Sequence, residues 1–311
     1  MSSSPGIVLE GSEGLGQSTG SLALGCKVNW SLEVLGRRAD GYHELRSWFL
    51  GLDGGDLLSW SPGPSRLQVD GPDSAGVPHG PRNLVLQADQ AWRAAGGEAP
   101  SLLWRIGKFL PAGSGLGAGS ADAAAVLQVL QACASRPLAH ALCRELAIAL
   151  GSDVPFFYDG RAAVLLGGRG EQCLQVCRPP QAWIVLAIPP LSAATPEVFN
   201  ALQAPDFQPT KAPTGLSSER FPNRPQGNDL AEAALRSVPG LVDVSERLDS
   251  IAAFQLSGSG SAWFTVVPDD AADGGRELAR DQAESLADHV RACGYRASVH
   301  RPWPHQDEGL Q

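Results

Sequence analysis

The run Pro111, Ala112, Gly113, Ser114, Gly115, Leu116, Gly117, Ala118, Gly119, Ser120, Ala121 carries a glycine at every second position from 113 to 119. A β-rich stretch, Ser101–Leu110, leads into it, and an Ala/Leu/Val-rich helical pattern leads out. Four glycines let successive backbone N–H groups turn into one concavity, and a helix start adds partial positive charge. Such a segment can bind phosphate oxygens. Two familiar phosphate loops do not match. No Gly-Lys-Ser/Thr closes the run, and Ala118 and Ser120 break the G-x-G-x-x-G register. A plain flexible connector is the alternative.

Lys27 lies in the apolar stretch Ala23–Leu32, with Asn29 two residues on and hence on the same face of a strand. It is either an edge residue whose ammonium reaches water or a cation aimed into a site. Asp153 follows a helical pattern that closes at Gly151. It can cap the next turn, or act as a general base that takes a proton from an alcohol attacking a phosphoryl group. A base in that role must be ionised at neutral pH, a form that a nearby lysine favours. The segment Ser257–Ser261 (SGSGS) reads as a hairpin turn or as a second backbone nest. Tyr42, His43 and Phe199 are candidates to stack on a planar base, against the alternative of core packing.

These residues need elements to hold them. Extended pieces are expected over Ser21–Leu35, Leu45–Leu52 and Leu57–Trp60, with a hairpin signal at Asp40-Gly41. Residues 61–82 read as loop, and Asn83 caps a helix to about Ala95. A helix from Leu138 to Leu150 follows, then strands near Ala162–Leu166, Cys173–Cys177 and Trp183–Ile188. The second half continues as a helix near Pro196–Leu202, two helices between Asn228 and Ser250, strands either side of SGSGS, a long helix and a last strand. That order is close to a split βαβ sandwich.

The chain has 311 residues, for which two domains are the expectation. The division anticipated is a leader over 1–20, domains over 21–180 and 181–303 with a boundary near Pro179-Pro180, and a tail over 304–311. A hydrophobic fraction of 43% supports a sizeable core, and a net charge of −9 argues against binding duplex nucleic acid. No apolar run is long enough for a membrane span. The first twenty residues lack a basic region and an apolar core. Six scattered cysteines read as small buried hydrophobes in a reducing compartment, and dispersed histidines show no zinc site. A cytoplasmic protein without nucleic-acid or membrane partners is expected. Only three of the 24 basic residues are lysines: Lys27, Lys108 and Lys211, the last expected to be a solvated surface charge.

Together these pieces resemble the GHMP small-molecule kinase superfamily. Within it, they are most similar to the family that phosphorylates a cytidine diphosphate-linked methylerythritol in the non-mevalonate isoprenoid route. The likeness rests on Lys27–Phe49, on the glycine run, on Gly151–Phe157 with Gly167–Glu171, on Ala194–Phe199, on Asn228–Leu230 and on Leu256–Ala262. It implies an α+β GHMP kinase fold: an N-terminal α+β nucleotide and catalytic domain, a C-terminal split-βαβ, ferredoxin-like domain, and a cleft between. It further implies ATP on Pro111–Ala121, Mg²⁺ with no ligand assigned, Asp153 as catalytic base and Lys27 as its partner. Asn29 and Thr195 would be polar substrate contacts, Tyr42, His43 and Phe199 would hold the cytosine ring, and the protein would be a monomer or weak dimer. The chain departs from the family pattern at Ala118, where a glycine is usual, and at Ala121, where a second serine is usual. Trp30 and Cys26 replace a leucine and an alanine. A GHMP kinase for another small alcohol, such as mevalonate or homoserine, and a catalytically weakened nucleotide-binding homologue are the alternatives.

Overall fold

The computed structural model describes residues 18–203, 220–269 and 275–303. The leader through position 17, Lys211 and most of the 204–226 loop lie outside them. In chain order the strands and helices are β1 (Gly20–Ala23), β2 (Cys26–Asn29), β3 (Glu33–Arg37), β4 (His43–Leu52), β5 (Leu57–Pro62), β6 (Arg66–Asp70), α1 (Leu84–Ala94), β7 (Leu102–Gly107), α2 (Ala118–Cys133), α3 (His140–Leu150) and α4 (Val154–Asp159). Then come β8 (Ala163–Gly168), β9 (Gln172–Cys177), β10 (Ala182–Ile188), α5 (Thr195–Asn200), α6 (Ala231–Ser237), α7 (Leu241–Asp249), β11 (Gln255–Leu256), β12 (Trp263–Pro268), α8 (Gly275–Ala292) and β13 (Arg296–His300).

Two compact units interleave along the chain. Of the described residues, the first gathers those up to Cys26, Asp53–Ala112 and Gly117–Arg161; the second gathers Lys27–Leu52, Gly113–Leu116 and those from Ala162 on. The anticipated boundary at Pro179-Pro180 falls between β9 and β10, inside the second unit.

The first unit has a sheet in the order β1-β5-β7-β6 with α1 to α4. Its core is rich in Trp60, Trp92, Trp104, Ile106 and the buried face of α2. Strand β6, anticipated as loop, pairs in parallel with β7 from Arg66↔Leu103 to Asp70↔Gly107. The flanking Pro, Gly and Ser residues masked a short alternation that buries Leu67. Helix α1 begins where the Asn83 side chain accepts from the Val85 N–H at 2.9 Å. Helix α3 starts at His140, not at Leu138, because the Gln131 side chain takes both backbone groups of Leu138 at 3.1 and 2.5 Å.

The second unit has two sheets. One runs β2-β4-β8-β9 with β3 paired to β4, and the hairpin turn between β3 and β4 centres on Asp40-Gly41 as anticipated. The other runs β11-β12-β10-β13, antiparallel throughout, with α8 packed on β10, β12 and β13. That order is the split-βαβ arrangement expected from the sequence. Its core joins Val185, Leu241, Leu248 and Trp263 to the inner face of α8, with Ala283, Ala287 and Val290. The bulky Trp30 is accommodated by rings, with Phe221 at 5.2 Å and Phe264 at 6.0 Å. Of the cysteines, Cys26, Cys143 and Cys177 are buried, but Cys173 is exposed on β9, against expectation. Among the described residues no helix is long and apolar enough to cross a membrane.

Removing the Asn83 carboxamide unties the first turn of α1 and leaves the Val85 amide without that acceptor. Asn83→Ala should lower unfolding free energy by about 1 kcal/mol, read from urea denaturation.

Candidate active site

The glycine run is shaped by its carbonyl groups. Gly113 O accepts from Ala193 N at 3.1 Å and Ser114 O from Ala262 N at 2.9 Å. Gly115 O accepts from the Ser257 hydroxyl at 3.1 Å, and Leu116 O from Lys27 N at 2.9 Å. Four consecutive carbonyls are thus committed to the second unit, so the amides are the groups the loop can offer a ligand. Gly113, Gly115 and Gly117 have φ of 72°, 78° and 73°, a left-handed conformation at every second residue that suits a nest. Gly115 is also tightly enclosed, since a Cβ there would lie 2.1 Å from the Ser257 carbonyl oxygen.

Gly119 does not share this role. It lies inside α2, and a Cβ would meet only Leu84 Cδ1 at 3.7 Å. Three glycines, not four, are therefore demanded by the loop. The two alanine departures fit the geometry. Ala118 takes the first position of α2 after Gly117, and Ala121 is fully buried on the packed side of that helix. Ser120 sits in the first turn, its N–H directed to Gly117 O at 3.0 Å.

Lys27 is not an edge residue. It is 4% exposed on β2, its Nζ donates to Asn29 Oδ1 at 2.6 Å, and it sits 4.8 Å from the centre of the Phe49 ring. Asn29 Nδ2 in turn donates to the Ser47 hydroxyl at 2.9 Å, and that hydroxyl donates to Ser31 O. The Asn29 N–H reaches the Ser257 hydroxyl at 3.3 Å. Ser257 therefore accepts a hydrogen bond from the lysine strand and donates one to the glycine loop. The SGSGS segment is a tight turn, closed by Ser257 N to Ala262 O at 2.9 Å, and Gly258 packs beside Asn29 and Lys27. Asn228 braces the turn from outside by donating to Leu256 O and Gly258 O at 2.9 and 2.7 Å.

Also in the second unit, His43 and Phe199 stack at 5.1 Å and 23°. Partial burial and the neighbouring Arg37 cation lower the His43 pKa, favouring the neutral ring with one donor and one acceptor nitrogen. Tyr42 is exposed, with the Arg169 guanidinium 4.6 Å over its ring. Thr195, exposed at the start of α5, shares a hydrogen bond with the Ser259 hydroxyl at 2.9 Å. The structure thus brings Lys27 and Asn29 together, and His43 with Phe199.

Asp153 belongs to the first unit. It occupies the N-cap position of α4, yet its side chain does not cap that helix. The helix is held by Gln128 of α2, which donates to Tyr158 O at 3.0 Å. The simple capping role read from the sequence is therefore not realised.

The first unit also holds a charged cluster that sequence reading passed over. Lys108 Nζ, 3% exposed, donates to Asp56 and to Asp122 Oδ2, the latter at 2.9 Å. Burial pushes the Asp122 carboxyl up to about 7; the Lys108 cation opposes this and the Asp56 charge adds to it. The only sequence signal was the scarcity of lysine. Ser257, Asn228 and Arg169 were likewise not singled out, although their motifs were.

Residues 83–161 match the GHMP kinases N terminal domain. A 4-diphosphocytidyl-2-C-methyl-D-erythritol kinase from Cereibacter sphaeroides is 36% identical over 84% of this chain and 91% of its own. The enzyme of that name from Geobacter sulfurreducens is 34% identical over 88% and 96%. The chain belongs to the 4-diphosphocytidyl-2-C-methyl-D-erythritol kinase family. A crystal structure of 4-(cytidine 5'-diphospho)-2C-methyl-D-erythritol kinase superposes with a TM-score of 0.71 at 33% identity, covering 90% of this chain and 98% of that one. The Methanococcus jannaschii mevalonate kinase, at TM-score 0.55 and 12% identity, shares the fold alone. The family is one of ATP-dependent kinases, and the expected α+β GHMP fold is present.

Two outcomes follow from the loop and the cluster. Gly115→Ala sets a methyl against backbone in a left-handed residue and should cost at least about 1–2 kcal/mol in stability, whereas Gly119→Ala should leave thermal melting unchanged or raised. Asp122, raised in the folded state, favours folding fully below its ordinary value of 3.8 and loses that contribution as pH rises through about 7. The melting temperature of the wild type minus that of Asp122→Asn should therefore fall over that window and level off above it.

Proposed function

We propose that the protein transfers the γ-phosphoryl group of ATP to the 2-hydroxyl of 4-diphosphocytidyl-2-C-methyl-D-erythritol, in the non-mevalonate route to isoprenoids. The observation that carries the reading is the wiring of Lys27. Its backbone N–H closes the glycine loop at Leu116, and its buried ammonium is oriented by Asn29. One residue thereby links the phosphate loop to a fixed cation, as phosphoryl transfer by positioning and electrostatics requires.

In this reading the loop amides from Gly113 to Gly119, with Ser120, hold phosphate oxygens, and the start of α2 adds its dipole. Asp153 accepts the proton of the acceptor hydroxyl as its oxygen bonds to phosphorus and the bond to the departing ADP breaks. Lys27 polarises that hydroxyl and offsets the charge that develops on it. Asn29 and Thr195 contact the polyol, and the His43–Phe199 stack holds the cytosine, with Tyr42 at its exposed rim. The neutral His43 ring suits the base edge, which needs both a donor and an acceptor.

Mg²⁺ belongs to the same proposal, as the ion that would accompany the nucleotide. Mg²⁺ commonly keeps several waters and binds chiefly through nucleotide phosphates, where it neutralises charge. A monomeric or weakly dimeric state and a cytoplasmic location belong to the same proposal. The His43–Phe199 pair favours a cytidine substrate over mevalonate or homoserine, and the accommodated Ala118 and Ala121 favour an active enzyme over a weakened homologue.

The test is ADP release with ATP, Mg²⁺ and 4-diphosphocytidyl-2-C-methylerythritol beside mevalonate and homoserine. Release confined to mevalonate or homoserine would refute the substrate, and ATP binding without any turnover would refute the activity. Asp153→Asn should lower kcat by about 10²–10⁴-fold with the fold intact, read from circular dichroism. Unchanged turnover would remove Asp153 from the mechanism.

A further inference from the structure

The cluster of Lys108, Asp56 and Asp122 lies wholly within the first unit and ties both limbs of the glycine run. Lys108 stands three residues before Pro111, and Asp122 directly follows Ala121. The Lys108 ammonium bonds both carboxylates. Asp56 Oδ1 also accepts from Phe109 N at 2.6 Å and Leu110 N at 3.1 Å, the last amides before the run. Asp56 is itself anchored, its carbonyl accepting from Leu24 N at 2.8 Å. The Lys108 backbone is fixed as well, donating to Asp70 O at 2.7 Å and accepting from Asp73 N at 3.1 Å. The limb entering from β7 and the limb leaving into α2 therefore meet on one buried ammonium.

Stability alone is a weak reason for this arrangement. Two carboxylates facing one ammonium in the interior bear a desolvation cost that apolar packing would avoid, and buried ion groups are often no better than apolar replacements. Directional bonds do something apolar contacts do not: they set the separation and angle of the two limbs. A loop whose amides must meet phosphate oxygens gains from that, because a limb ordered beforehand loses less entropy on binding. Asp122 Oδ1 is buried without a hydrogen-bond partner, so the carboxyl is poorly satisfied as a purely structural group.

We propose that Lys108, Asp56 and Asp122 are positioning residues for the nucleotide, a buried staple that holds both limbs of the loop in their binding arrangement before ATP arrives. The proposal rests on the reading of the loop as the ATP site. None of the three is assigned contact with ATP; they act through the loop.

Calorimetric titration with MgATP, together with KM and kcat, tests it on the full chain. Asp122→Leu keeps side-chain bulk but cuts the tie, and should weaken MgATP binding about tenfold or more with kcat at saturation changed less than about threefold. Asp122→Asn retains an acceptor for Lys108 and should bind within about threefold of wild type. Asp89→Ala breaks a buried ion pair with Arg93 on α1 and should lower melting with unchanged MgATP affinity. Wild-type affinity in a folded, less stable Asp122→Leu would overturn the staple and leave a packing role only. Amide exchange of the wild type decides the matter even where a variant does not fold. Phe109 and Leu110 should exchange slowly without nucleotide, and fast exchange there until MgATP is added would also overturn the proposal. A wild type that binds no MgATP would refute the ATP reading itself, an outcome distinct from wild-type binding retained in Asp122→Leu.

Discussion

Four consecutive carbonyl groups, from Gly113 to Leu116, are bound by donors of the second unit, and the use of the loop depends on that. A peptide unit whose oxygen is held on one side can present its N–H only on the other. The same four bonds explain why Gly115 tolerates no side chain, since its Cα lies against the Ser257 carbonyl. They also explain why a serine at 257 matters more than a turn residue would. Its hydroxyl accepts from the strand carrying Lys27 and donates to the loop, so strand and loop cannot shift independently.

Charge in this protein is placed, not spread. The chain is acidic overall, yet ATP and a cytidine diphosphate are anions. In the proposed reading, binding falls to backbone N–H groups, one helix start and a few fixed cations, none of which registers in a net charge. Both described lysines illustrate the cost. A lysine is almost never fully buried unless paired, and each of these is buried with oxygen partners. Lys27 has the side-chain amide of Asn29 and the Phe49 ring; Lys108 has two carboxylates. Lys108 faces opposite charge on both carboxylates, as befits a cation proposed to organise the backbone.

The likeness to other GHMP kinases ends where the substrate begins. Mevalonate kinase shares the fold at 12% identity, so the fold does not choose the alcohol. In the proposed reading the choice falls to the aromatic pair on β4 and α5, where His43 and Phe199 stack face to face. A neutral imidazole beside a ring suits a planar base with mixed donor and acceptor edges, and would have nothing comparable to recognise in a branched aliphatic acid.

Much of this was legible in residue order. The alternation of glycines, the strand before them and the helix after them marked a loop with left-handed glycines between strand and helix, because φ preferences act over a few neighbouring residues. Asn83 and the hairpin at Asp40-Gly41 were readable for the same reason, being local hydrogen-bond and turn chemistry. Strand β6 escaped, since its pairing with β7 is a contact between distant segments, and short strands framed by Pro and Gly look like loop. Asp153 and Lys27 could be nominated from types and neighbours, but their surroundings are tertiary: Lys27 is buried and bonded to Asn29, and Asp153 stands before α4 without capping it. The Asp56–Lys108–Asp122 cluster and the Ser257 bridge had no local signature at all. Their members are separated by up to 228 positions, and interactions of that range exist only once folding has brought the segments together.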